Sequence, residues 1–73
     1  MSEEIKAPVT GTVWKIETKV GDALDEDDCI MILESMKMEI PVEAPVDGTL
    51  LEICVAEGDS IQDGQVLARL EED

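Results

Sequence analysis

Hydrophobic and polar positions alternate through the middle of the chain. From Ile30 the even positions read Ile30, Ile32, Glu34, Met36, Met38, Ile40 and Val42, while the odd positions from Ser35 read Ser35, Lys37, Glu39, Pro41 and Glu43. A period of two, interrupted only by Glu34, is the mark of a half-buried strand or strand pair. Further strands are predicted over residues 12–18, 29–33, 49–55 and 66–70, set off by Gly-Asp turns and by Ala-Pro-Val-x-Gly turns. No apolar period of helix length occurs, so the chain reads as all-β.

These segments form a duplication. Residues 7–33 and 44–70 align at an offset of 37 without a gap, and nine of the 27 pairs are identical, among them Pro8/Pro45, Gly11/Gly48, Gly21/Gly58 and Asp22/Asp59. Most identities are turn residues, so both copies should bend the chain at the same places. One open β unit of this size cannot bury its own apolar face, but two can pack on each other about an approximate two-fold axis. The expected fold is a flattened barrel or sandwich of two small antiparallel sheets, with residues 34–43 joining the copies as a hairpin. A shift of 37 from Lys37 lands just outside either terminus, which predicts that Lys37 lies at the end of the molecule opposite both chain ends.

Composition narrows the function classes. Seventy-three residues suit one domain over 1–73, which hides only about 60% of the surface its unfolded chain exposes. An apolar content of 44% is too high for a disordered segment, and with Trp14 the sole aromatic the core must be built from Val, Ile, Leu, Met and Ala. Trp14 is expected to pack, because its repeat partner Leu51 is apolar. Nineteen acidic residues against five basic ones give a net charge of −14, which repels nucleic-acid phosphates and anionic lipid alike. The longest apolar run, residues 29–33, is too short to span a bilayer, and MSEEIK is acidic where a signal peptide is positive. A cytoplasmic chain, monomeric when free, is expected, and Met1 with the acidic Leu70-Glu71-Glu72-Asp73 end reads as complete.

Metal and redox chemistry find little support. There is no histidine, and Cys29 and Cys54 are far apart, which suggests small buried hydrophobes and neither a disulfide nor a zinc site. The DEDD run at 25–28 lacks the spacing and glycine of a calcium loop and reads as a solvated acidic turn. Without His, Tyr or a nucleophile–base pair, no catalytic residues and no metal ligands are assigned.

The tip of the hairpin breaks a local rule. A two-residue tip at Met36-Lys37 in the favoured primed geometry needs positive φ, which Asn-Gly or Asp-Gly adopts at low cost, yet no Gly or Asn occurs between residues 22 and 47. A rule broken once, in a chain whose other turns obey it, points to a functional site. The methionines are flexible and polarizable, suited to several protein surfaces in turn, and the alternation suggests partial burial for both.

The stretch ESMKME, set between the APVTG and APVDG copies, resembles the biotinyl/lipoyl attachment domain family over essentially the whole chain. The resemblance implies that Lys37 carries the cofactor covalently, with Met36 and Met38 as flanking recognition residues. Glu34, Ser35 and Glu39 are then candidate recognition residues for a biotin protein ligase, and otherwise solvated groups. Ser35 departs from the alanine commoner in the biotinylated branch. The implied function is a biotin carboxyl carrier shuttling carboxybiotin between biotin carboxylase and carboxyltransferase sites. Lipoyl domains more often have Asp before and Ala after the lysine, with Glu three residues earlier. Only Glu34 matches that pattern, so lipoate and a lipoate-attaching enzyme are the alternative. The extra loop of some acetyl-CoA carboxylase carriers has no counterpart. From other classes come an unmodified acidic interaction module and an enzyme subunit using Cys29 or Cys54. A lysine ammonium in water is protonated and not nucleophilic at neutral pH, so attachment calls for an enzyme that desolvates and deprotonates it.

Overall fold

A computed structural model describes residues 2–73; Met1, read above as the start of a complete chain, lies outside the described residues. The described chain is eight strands without a helix: β1 (Ser2–Lys6), β2 (Gly11–Ile16), β3 (Ala23–Leu24), β4 (Cys29–Ser35), β5 (Met38–Glu43), β6 (Gly48–Ile53), β7 (Ser60–Ile61) and β8 (Val66–Glu72). They form two antiparallel sheets ordered β1-β8-β6-β3 and β5-β4-β2-β7. Adding or subtracting 37 maps one order onto the other strand for strand, so the duplication is the architecture. The sheets do not close on each other, and the result is an open sandwich, not a barrel.

The repeat also reaches further than the sequence comparison. β1 is the counterpart of β5, and residues 2–6 and 39–43 share one sequence of exposed and buried positions. Loop hydrogen bonds obey the same shift. The Ala7 amide donates to the Gln65 carbonyl (2.8 Å) as Ala44 does to Asp28 (2.9 Å), and Val13 donates to Asp59 (2.9 Å) as Leu50 does to Asp22 (2.9 Å). Ile30, Met31, Leu33 and Val13 from one sheet meet Leu67, Ala68, Leu70 and Leu50 from the other in a fully buried core.

Bulges correct the phase read from the sequence. The β4–β5 register passes from Cys29↔Glu43 to Met31↔Val42, which leaves Ile30 as the extra residue. Ile30 and Met31 therefore both point inward, and from there the odd residues Met31 and Leu33 face the core while Ile32 and Glu34 face outward. The even-numbered stripe from Ile30 holds only on β5, at Ile40 and Val42. An extra residue in one strand shifts its alternation by one, which a straight count cannot see. Leu67 does the same in β8. A second pair of bulges, at Trp14 and Leu51, ejects both side chains, so Trp14 is 48% exposed and not a core residue. Cys29 is half-buried and Cys54 exposed, so the expectation of two buried hydrophobes fails as well.

Gly11 and Gly48 occupy equivalent places, for a reason other than positive φ. A Cβ on Gly11 would run into the Glu34 carbonyl and lie 3.2 Å from Ser35 Cβ, and one on Gly48 would run into the Glu71 carbonyl. Each glycine lets two backbones approach closely at the end of a sheet. Ser2 pairs with Glu71 at the chain ends, and β1 with its following turn carries the chain to Thr10 at the base of the β4–β5 hairpin. In a molecule of 34 × 17 × 17 Å, this separates the paired ends from the hairpin tip.

Candidate functional site: the β4–β5 hairpin tip

β4 and β5 pair through Leu33↔Ile40, Glu34↔Glu39 and Ser35↔Met38, leaving Met36 and Lys37 as a two-residue tip. Their φ values are +52° and +66°. Two consecutive left-handed residues are what a type I′ turn demands, and its twist matches that of the flanking strands. The other positive-φ positions are Asp27 and the glycines 21, 58 and 64, so the tip is where long side chains take that conformation among the described residues. An L-residue pays roughly 1–2 kcal/mol there.

The strain presents side chains to solvent. Met36 is 92% exposed and Met38 64%, which corrects the expected partial burial of both methionines. Lys37, Glu34 and Glu39 are exposed too. The core ends at Leu33, so nothing beneath the tip can cover it. Among the described residues, no hydrogen bond or ion pair holds the Lys37 ammonium.

Beneath the tip the base is firm. Ser35 is half-buried and its hydroxyl donates to the Thr10 carbonyl at 2.9 Å, while the Thr10 hydroxyl accepts the Asp63 amide at 3.1 Å. With Gly11 pressed under the Glu34 carbonyl, the first APVxG turn becomes a platform for the hairpin. Sequence reasoning missed Thr10 and Gly11 as tip supports; the recurrence of that turn was the available signal. In the other copy Asp47 takes the corresponding part, its carboxylate accepting the Glu26 amide at 2.7 Å.

The remaining candidates lie elsewhere. The DEDD run forms the predicted acidic turn, with the Asp28 carboxylate accepting the Asp25 amide at 2.9 Å. Partial desolvation raises the Cys29 thiol above its ordinary pKa, followed by the nearby Glu17 and Glu43 charges. Cys54 is raised by desolvation and by its hydrogen bond to Glu52. Both shifts deplete the thiolate, the reverse of what a nucleophilic cysteine requires. A groove of about 340 Å³ between the edges of β1 and β5 is walled by repeat-related pairs such as Ile5/Val42 and Pro8/Pro45, and the tip residues take no part in it.

The family described as "Biotin-requiring enzyme", the biotin/lipoyl family, matches residues 3–70, and the chain belongs to it. The chain is 39% identical over 66 residues to the biotin/lipoyl attachment protein of Bacillus subtilis, covering 90% of each. The crystal structure of Kluyveromyces lactis urea carboxylase contains a similar fold at TM-score 0.93 and 31% identity, over 97% of this chain and 6% of that one. The lipoyl domain of the Azotobacter vinelandii 2-oxoglutarate dehydrogenase complex superimposes at TM-score 0.80 and 36% identity, over 94% of this chain and 95% of that one. Other curated relatives are far longer or only partly matched, the chain spanning 3% of one and 59% of another. Among the described residues no helix is long and apolar enough to cross a membrane.

Proposed function

We propose that residues 1–73 act as a single biotin carboxyl carrier domain, with Lys37 the residue that takes the cofactor. The observation that carries this reading is the Met36-Lys37 turn, held left-handed at a cost and with its side chains in solvent. A covalently attached group suits such a tip, since Lys37 is exposed and no ion pair or hydrogen bond among the described residues competes for its Nζ. The base formed by Ser35, Thr10 and Gly11 holds the hairpin from which the Lys37 side chain projects. In attachment, the deprotonated Nζ attacks the carboxyl carbon of biotin supplied in activated form. The C–N bond forms, the activating group leaves with the electron pair of the broken bond, and the lysine proton passes to solvent. Biotin, when bound, supplies a ring nitrogen able to carry a carboxyl group.

The chain's own part is to hold and present Nζ, without catalysis. In this reading a biotin protein ligase loads it in the cytoplasm, and biotin carboxylase and carboxyltransferase sites use it. Met36 and Met38 serve as adaptable contacts, with Glu34, Ser35 and Glu39 beside them. Lipoate is the second reading, favoured by Glu34 and by the likeness to an isolated lipoyl domain. The intact mass of protein from its native host should exceed the polypeptide by biotin less water. Lys37→Arg keeps the charge but should abolish that gain while leaving the unfolding curve unchanged. Attachment persisting at Lys6, Lys15 or Lys19 would overturn the assignment, and a gain of lipoate less water would replace biotin by lipoate.

A further inference from the structure

If the 37-residue repeat governed everything, the outer faces of the two sheets would be interchangeable, and in one row they are not. Across β6, β8 and β1 that row runs Glu52, Arg69, Glu4 in direct register, a cation between two carboxylates. Such a row suits a face that stays in water. The related row across β2, β4 and β5 runs Lys15, Ile32, Pro41. A half-buried isoleucine and an exposed proline thus stand where the other sheet has arginine and glutamate. Beside Lys15 the bulge puts out Trp14, the only aromatic side chain in the protein. The result is a strip in which Trp14, Ile32 and Pro41 put apolar surface across three strands, with the Lys15 ammonium beside the indole, on the sheet that ends in the tip. The next row toward the tip, Thr12, Glu34 and Glu39, adds two exposed carboxylates.

The strip lies within reach of anything that grips the tip. Ile32 precedes Met36 by four strand residues, roughly 13 Å of extended chain. One partner's share of a standard interface, about 800 Å², corresponds to a disc roughly 16 Å in radius. We propose that Trp14, Ile32 and Pro41 form the docking surface for the biotin protein ligase that acylates Lys37. An apolar recess on that enzyme receives the indole, and basic groups face Glu34 and Glu39. This rests on the reading of Lys37 as the biotin acceptor. The occupant follows from reach: the ligase must bring its reacting carbon to bonding distance of Nζ, so its surface has to close over the tip and the sheet beside it. Proteins that meet the cofactor at the end of its arm can stand further off. A second copy of this chain is a poor occupant, because each copy carries a net charge of −14.

The test is a titration of unmodified protein against purified biotin protein ligase with biotin and ATP, followed by intact mass. Trp14→Ser and Ile32→Thr are each expected to raise the KM for the carrier about tenfold at unchanged kcat, the effect of losing a central interface contact. Leu51→Ser, the equivalent truncation on the opposite sheet, should leave KM within about twofold. Unmoved KM in both Trp14→Ser and Ile32→Thr overturns the proposal, as does an equal rise in Leu51→Ser. Failure of the unsubstituted protein to gain biotin would remove the reading of Lys37 together with the docking surface. Normal uptake with unmoved KM in the variants would remove the docking surface alone.

Discussion

At the scale of single residues the tip sets stability against presentation. Met36 holds φ +52°, where its Cβ crowds its own backbone, and with 92% of its surface in solvent it recovers almost nothing by packing. Met36→Gly should therefore stabilise the fold by about 0.5–1 kcal/mol in urea unfolding, the relief of strain exceeding the added freedom of the unfolded chain. The same variant should be loaded more slowly by the ligase, because a flexible contact beside Nζ is gone. A loss of stability would mean that the left-handed turn carries no strain. This site was legible in the sequence because turn chemistry is local: two residues had to adopt positive φ, and neither was Gly or Asn. The place of Trp14 was not legible. Its exposure depends on a one-residue bulge, fixed by how Val13 and Lys15 register against Leu33 and Ile32, and an apolar repeat partner says nothing about that.

Between elements, the close approach at the sheet ends is what two glycines protect. Gly11 sits under the Glu34 carbonyl at the hairpin base, and Gly48 under the Glu71 carbonyl near the chain ends. Because backbone, not a flexible side chain, lies in the path of the new methyl, Gly11→Ala and Gly48→Ala should each cost roughly 1–3 kcal/mol in urea unfolding. Only Gly11→Ala should also slow loading of Lys37 in the residual folded protein, since it alone pushes on the tip's platform. Equal stability to wild type would show that the strands can part at no cost. The paired strands of the duplicated core were readable from sequence because each carries five or more residues of pattern. β3 and β7, with two residues each, carry none. β1 has only Ile5 facing the core in a polar run, so its strand character appears once it is laid against its counterpart β5. The phase of β4 escaped for the same reason as Trp14, through the bulge at Ile30.

Across the whole molecule the two-fold relation supplies two equivalent ends, and the chain uses them differently: one is the continuous β4–β5 turn, the other is cut open as the paired termini. That division was implicit in the offset of 37. The consequence of the charge was not, since a net −14 speaks of partners and says nothing of where the carboxylates stand. In the structure they cover the surface of a body whose long axis is 34 Å, and among the described residues one ion pair is formed, Lys15–Glu17 at 3.7 Å, with both side chains reaching solvent. An exposed pair of that kind contributes little. At about 10 mM ionic strength the screening length is roughly 30 Å, comparable to the whole molecule, so each carboxylate feels nearly all the others; at 150 mM it is roughly 8 Å and only neighbours count. Repulsion of this kind acts more strongly in the compact state than in the expanded unfolded chain, so salt should favour folding. The urea midpoint is therefore expected to rise as NaCl goes from about 10 to about 150 mM, by on the order of 1 kcal/mol in stability, with an unchanged urea slope. A midpoint that falls with salt would mean that attraction between unlike charges outweighs the repulsion among the nineteen carboxylates.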